Sequence, residues 1–121
     1  MTDTFPSIHG YHAHVYFRDA AERERALKLR EALGANFPVA LGRVMDRNVG
    51  PHTLPMYQVA FAAEQFAAIV PFLMLARDGL TVLVHPETGD EVEDHTSHAL
   101  WLGEVLPVDV EFLRQFAHAH S

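Results

Sequence analysis

An α+β fold with an antiparallel sheet is what this sequence predicts, and three observations carry the prediction. Short β-rich segments recur at residues 10–17, 37–44, 56–62 and 80–84, the first and third alternating between apolar and polar positions. Two longer segments, 20–33 and 63–77, hold helix formers with apolar positions at helical spacing. The two kinds interleave as strand, helix, strand, strand, helix, strand, which is the split βαβ pair of the ferredoxin-like plan, with both helices on one face of the sheet. The other face is left bare, and the C-terminal extension from residue 94 onward can cover it. One domain over residues 1–121 fits the length, because a chain of this size buries roughly two thirds of its unfolded surface.

The elements follow in order. In GYHAHVYF, residues 10–17, Tyr11, Ala13, Val15 and Phe17 share one side of a strand, and His12, His14 and Tyr16 share the other. Asp19 is placed to cap the helix over 20–33, and Gly34 to stop it. A strand over 37–44 is weakened by Gly42, and 46–55 is a loop by its Asn, Gly and two prolines. In the strand over 56–62, Tyr57, Val59 and Phe61 share a face. Pro71 either kinks the helix over 63–77 or marks a new first turn. The apolar run 80–84 then delivers His85 at its end. A further strand is expected in 97–103, with Trp101 in the core or an interface, and a short helix over 108–118, introduced by Pro107 or capped by Asp109.

Composition excludes whole classes of function. Hydrophobic residues are 49% of the chain, too many for a disordered one, while the longest apolar run, near residues 66–76, is too short for a bilayer and is broken by Pro71. Sixteen acids against nine bases, with Lys28 the sole lysine, leave no basic stripe for a nucleic acid. The first residues, MTDTFPSIHG, lack the charged start and apolar centre of a signal peptide, so a cytoplasmic location is expected. With no cysteine, thiolate nucleophiles, disulfides and thiolate metal sites are all absent, and any metal must be held by nitrogen and oxygen. No H-E-x-x-H helix, Walker loop, G-x-G-x-x-G or G-x-S-x-G elbow occurs, and nothing beside Ser97 resembles an oxyanion hole.

The residues suited to chemistry are histidines. HPETGDEVEDHTSHALWLGE, residues 85–104, packs His85, His95 and His98 among a dense group of acids, and neutral imidazole and carboxylate are the usual non-sulfur ligands of a divalent metal. His12 and His14, two apart in a strand, place their Cα atoms about 7 Å apart on one side. His52 lies in the loop. Asp90 is expected to stabilise the turn that Gly89 allows, Asp94 to orient His95 by a hydrogen bond, and Glu104 to be a further carboxylate candidate. Tyr16, on the open face beside the histidines, could contact a phenolic substrate. His9, His118 and His120, near the ends, are expected at the surface.

Four segments, YHAHVYF at 11–17, GPHTLPMYQVAF at 50–61, LVHPETGDEVEDHT at 83–96 and ALWLGEVLPVDV at 99–110, resemble in order and spacing the DOPA 4,5-dioxygenase family of small aromatic ring-cleaving enzymes. The resemblance implies a ferredoxin-like subunit in a homodimer, and extradiol cleavage of a catechol by molecular oxygen at a non-haem metal site. The family's histidines match His14, His52, His85 and His95; His12 and His98 fall outside its pattern. Thr53 stands where the family usually has a proline after G-P-H. On this basis His14, His85 and His95 are expected to bind the metal with Glu104 as a fourth group, and His52 to act as acid and base. His12, Tyr16 and His98 are expected to contact substrate. Ferrous iron is the metal the resemblance implies, although ligand type alone also admits manganese or zinc. The alternative is a non-catalytic ferredoxin-like dimer that binds a small aromatic ligand or a metal.

Overall fold

The structure, a computed structural model, describes residues 5–119, with side chains through Phe116; the side chains of His118 and His120 lie outside that range. Five strands, β1 (Tyr11–Tyr16), β2 (Ala40–Leu41), β3 (Met56–Phe61), β4 (Val82–Pro86) and β5 (Leu100–Leu102), form one antiparallel sheet in the order β2-β3-β1-β4-β5. The first four strands with helices α1 (Ala20–Asn36) and α2 (Phe66–Ala76) make the expected ferredoxin-like pattern, and β5 extends it at the β4 edge.

Alternation decides which residues meet. Ala13, Val15 and Phe17, Tyr57, Val59 and Phe61, and Val82 and Val84 pack beneath Leu29 and Leu33 of α1 and Ile69, Val70 and Leu73 of α2, forming the main core. Tyr57 is wholly buried there, and its hydroxyl donates to the Ala26 carbonyl at 2.7 Å, so the one polar atom it brings into the core is satisfied. The opposite face carries a smaller apolar cluster of Tyr16, Met56 and Leu83, backed by Trp101, and beside it the histidines. Two further helices lie over that face, α3 (Glu91–His95) and α4 (Val110–Ala119), so the C-terminal extension covers it as expected.

Several boundaries differ from the sequence reading, each for a packing reason. Asp19 does cap α1, its carboxylate accepting from the Glu22 amide at 2.8 Å, but the helix runs through Gly34 to Asn36. Gly34 is there for closeness, because a Cβ would stand 3.0 Å from the Leu41 side chain of β2. Pairing over 37–44 shrinks to Ala40 and Leu41. The helix over 63–77 begins as a 3-10 turn at Ala63–Gln65, and α2 continues through Pro71, the packing of Ile69, Val70 and Leu73 outweighing the lost backbone bond. β4 is displaced to Val82–Pro86, so His85 lies inside the strand, opposite His12. Asp109 rather than Pro107 starts α4, accepting from the Phe112 amide at 3.0 Å.

The acid-rich stretch that follows the turn at Gly89 forms the short helix α3. Asp90 is its cap, accepting from the Glu93 amide at 3.1 Å. Asp94 does not orient His95. It is buried, and its carboxylate accepts from the Thr88 amide at 2.8 Å, the Thr88 hydroxyl at 2.7 Å and His98 Nδ1 at 2.9 Å. Burial works to raise its pKa, and these bonds outweigh that and hold it below the usual value. Asp94 thus ties α3 to the end of β4. Asp94→Ala removes all three hydrogen bonds and should destabilise the protein by about 2 kcal/mol or more; urea unfolding checks this, and a change within about 0.5 kcal/mol would contradict it.

Candidate metal and substrate site

Strand parity builds half of the site. His12, His14 and Tyr16 project to the covered face of β1, and His85 projects to the same face of β4, directly opposite His12. The diagonal pair His14 and His85 bring their Nε2 atoms to 3.1 Å. The loop before β3 brings His52. Gly50, at φ +56°, turns the chain there; the Asp109 amide donates to the Pro51 carbonyl at 2.8 Å and the Thr53 hydroxyl to the Pro107 carbonyl at 2.8 Å. Thr53 therefore anchors the loop to the tail. α3 brings His95 at its last residue.

The four rings of His14, His52, His85 and His95 form one buried group, with ring centroids 4.1 Å apart for His14 and His52, 4.0 Å for His85 and His95, and 5.1 Å for His14 and His85. Two triplets have ligand atoms within 4.8 Å of one another: His14 with His52 and His95, and His14 with His12 and His85. His14 belongs to both. Among the described residues these triplets contain no carboxylate.

Hydrogen bonds distinguish the rings. His85 Nδ1 lies 3.0 Å from the Pro86 carbonyl and His95 Nδ1 lies 2.8 Å from the Glu91 carbonyl. A carbonyl only accepts, so both Nδ1 atoms carry the proton and both Nε2 atoms are left as lone pairs, the arrangement usual in metal-binding histidines. His52 Nδ1 instead meets the Tyr16 hydroxyl at 2.8 Å, a partner that can donate or accept. His14 Nδ1 is buried with no hydrogen-bond partner.

This donor set fits a metal ion. For nitrogen–metal bonds of roughly 2.1 Å, two ligand nitrogens lie about 3.0 Å apart at a right angle and about 3.4 Å apart at the tetrahedral angle. The 3.1 Å between the two Nε2 atoms falls in that interval. Proton competition is also low. Burial first, then the charges of His52, His85 and His95, push His14 well below the ordinary histidine range. Burial, with His95 and His85, lowers His52 to about 3; burial and His95 lower His85 to about 4, despite its bond to the Pro86 carbonyl. Burial raises Tyr16, which stays a neutral phenol.

A cavity of about 210 Å³ opens against the cluster, smaller than the roughly 300–1,000 Å³ that drug-sized ligands occupy, and suited to a single ring. His12, His14, His52 and His95 line it on one side, Phe112, Leu113 and Phe116 of α4 on another, with Gln58 and Glu91 also at the wall. The sequence reading missed Gln58, Glu91 and the α4 side chains. Gln58 was detectable as the polar residue between Tyr57 and Val59 of β3, paired with His14 across the ladder.

The remaining expected residues lie as follows. His12 reaches the cavity wall, its Nδ1 2.9 Å from Glu87. Tyr16 is buried against His52 and stacked on Trp101, its ring 6.1 Å from the indole, which places Trp101 in the smaller core. His98 turns to Asp94 and is not at the cavity wall. Glu104 is not brought to the histidines: it is exposed and paired with Arg18, because the turn at Gly103, φ +91°, carries it past the end of β5.

The depressed histidines give the metal-free protein a definite response to pH. Their folded values lie below the ordinary histidine value of 6.5, so the unfolded chain takes up protons first, and stability is full above pH 6.5 and drains as pH falls toward about 4. The unfolding free energy from urea titrations should drop between pH 7.5 and 4.5 by an amount on the order of a few kcal/mol. A flat profile would contradict buried, neutral histidines.

Comparison with known proteins agrees with the geometry. The family model for the Dopa 4,5-dioxygenase family matches residues 11–112. A protein from Amanita muscaria named DOPA 4,5-dioxygenase is 36% identical over 111 residues, covering 85% of this chain and 49% of its own length. An uncharacterised 21.2 kDa protein of Botryotinia fuckeliana is 34% identical over 117 residues, covering 89% of this chain and 62% of its own. The chain thus spans about half to three fifths of the length of these two relatives. A crystal structure of a candidate dioxygenase from Nostoc punctiforme, 59% identical, superposes with a TM-score of 0.88 over 90% of this chain and 94% of that one. The chain is a member of the Dopa 4,5-dioxygenase family.

Proposed function

We propose that this protein is an extradiol-type ring-cleaving dioxygenase that opens a catechol with molecular oxygen at a non-haem metal held by His14, His85 and His95, a set that takes His14 and His85 from one of the two close triplets and His95 from the other. The observation that carries the reading is the buried, neutral, all-imidazole cluster facing a cavity of single-ring size. The family and the Amanita muscaria relative's name support a dioxygenase of the DOPA 4,5 type. The reading includes a cytoplasmic homodimer; among the described residues no helix is long and apolar enough to cross a membrane.

Ferrous iron is the metal proposed, with manganese the nearest alternative, and when bound it supplies Lewis acidity toward the catechol oxygens and a path for electrons from ring to dioxygen. The protein's own groups do the rest. His85 and His95, their tautomers held by the Pro86 and Glu91 carbonyls, present Nε2 lone pairs. His52 is the acid and base. With the Tyr16 hydroxyl accepting from Nδ1–H, Nε2 would be free to take a catechol proton and later return it. The low pKa of His52 reflects burial first and then the repulsion it would meet from a proton on His95 or His85, and an anionic catecholate in the cavity would counter both. Phe112 and Leu113 keep water from the ring. The reaction balances without a reductant: one ring carbon–carbon bond breaks, and both oxygen atoms end in the product as an aldehyde and a carboxylate.

The reading has direct tests. Protein reconstituted with ferrous iron without air, then given 4-methylcatechol and oxygen, should form a yellow muconic semialdehyde; absence of product with any of several catechols would refute the enzyme reading. His85→Ala should lower bound iron by at least about tenfold in affinity, as for loss of a ligand. His52→Ala should keep the iron and lose roughly 100-fold or more in turnover. Loss of iron in His52→Ala would instead move His52 into the ligand set, with His14 and His95.

A further inference from the structure

The cavity wall carries an acidic residue, Glu91, that the metal chemistry does not require. Glu91 lies at the wall, where burial first, and then the charges of Glu87 and Asp94, raise its pKa, with His95 and His12 acting the other way. No lysine or arginine is among the described residues that line the cavity. Phe112 and Phe116, their rings stacked at 6.5 Å, belong to the same lining. A carboxylate together with aromatic faces is a lining that attracts an ammonium group and repels a second carboxylate. Gln58 adds a neutral donor and acceptor but no positive charge.

Resting on the catechol reading above, we propose that Glu91 selects catechols whose ring substituent ends in a cation, an alkylammonium, over those ending in a carboxylate. The metal and histidines recognise the two ring oxygens, which every catechol shares. The substituent must then lie along the wall made by Glu91 and α4, and its charge decides the fit. Glu91 fixes His95 through its backbone carbonyl at 2.8 Å, while its carboxylate, 3.9 Å from His95 Nδ1 and beyond hydrogen-bond reach, meets the substituent. Glu87 is a lesser contributor, since it is engaged with His12 at 2.9 Å.

The test is equilibrium binding by the iron-loaded protein without oxygen, using dopamine, 3,4-dihydroxyphenylacetate and 4-methylcatechol, with oxygen admitted afterwards. Dopamine should bind about tenfold or more tightly than dihydroxyphenylacetate, with 4-methylcatechol between them. In Glu91→Gln the ratio of the two charged ligands should fall to within about threefold, while Glu91→Asp, which keeps the charge, should retain part of it. Equal affinities in the wild type, an unchanged ratio in Glu91→Gln, or no binding of any catechol would each overturn the selection by Glu91. Oxygen reports separately on the enzyme reading, through formation of the yellow product from 4-methylcatechol.

Discussion

His14 is wholly enclosed, and its Nε2 stands 3.1 Å from that of His85, a separation that two protonated imidazoles cannot share in a desolvated space. Their neutrality is therefore a condition of the fold at this face. Every feature around the pair serves it: backbone carbonyls fix the proton of His85 and His95 on Nδ1, a phenol holds His52, and helices exclude the water that would favour charge. A metal ion is a partner that suits this arrangement, because it would take up the Nε2 lone pairs that the His14–His85 hydrogen bond otherwise has to share.

The two faces of the sheet divide the labour. Beneath α1 and α2 the protein buries a core that is apolar but for the Tyr57 hydroxyl, and the apolar area of that core supplies the main stabilisation. The other face buries polar groups, and each must be answered by a partner. Asp94 answers Thr88 and His98, Thr53 answers Pro107, and Asp109 holds α4 in place over the cavity. The C-terminal extension converts an open sheet face into an enclosed site, so binding chemistry and tail packing are bound to the same residues.

Much of this was legible in the chain. Alternation in GYHAHVYF placed His12, His14 and Tyr16 on the face away from Val15 and Phe17, and the strand–helix order implied the sheet that carries them. The resemblance singled out the four histidines that the fold assembles, but assembly and metal binding are separate matters. Glu104 and His98 were misplaced for a local reason: a one-residue turn at Gly103 and a helical spacing between Asp94 and His98 redirect them, and neither is visible without the backbone. The helix α3 was hidden by its acidity. Its charges suit a helix N-terminus, yet five residues are too few to show a period. Glu91 and Phe112 could not be found from pattern at all, since they reach the cavity from elements placed by tertiary packing.

The central claim is that the imidazole cluster holds the reactive metal with the catechol in the adjoining cavity. Anomalous diffraction at the iron edge, from crystals loaded with ferrous ion and a catechol without oxygen, tests it most directly. The account predicts one strong peak within bonding distance of His14, His85 and His95, with catechol density between it and Phe112. A peak elsewhere on the protein, or catechol density away from the histidines, would contradict the account.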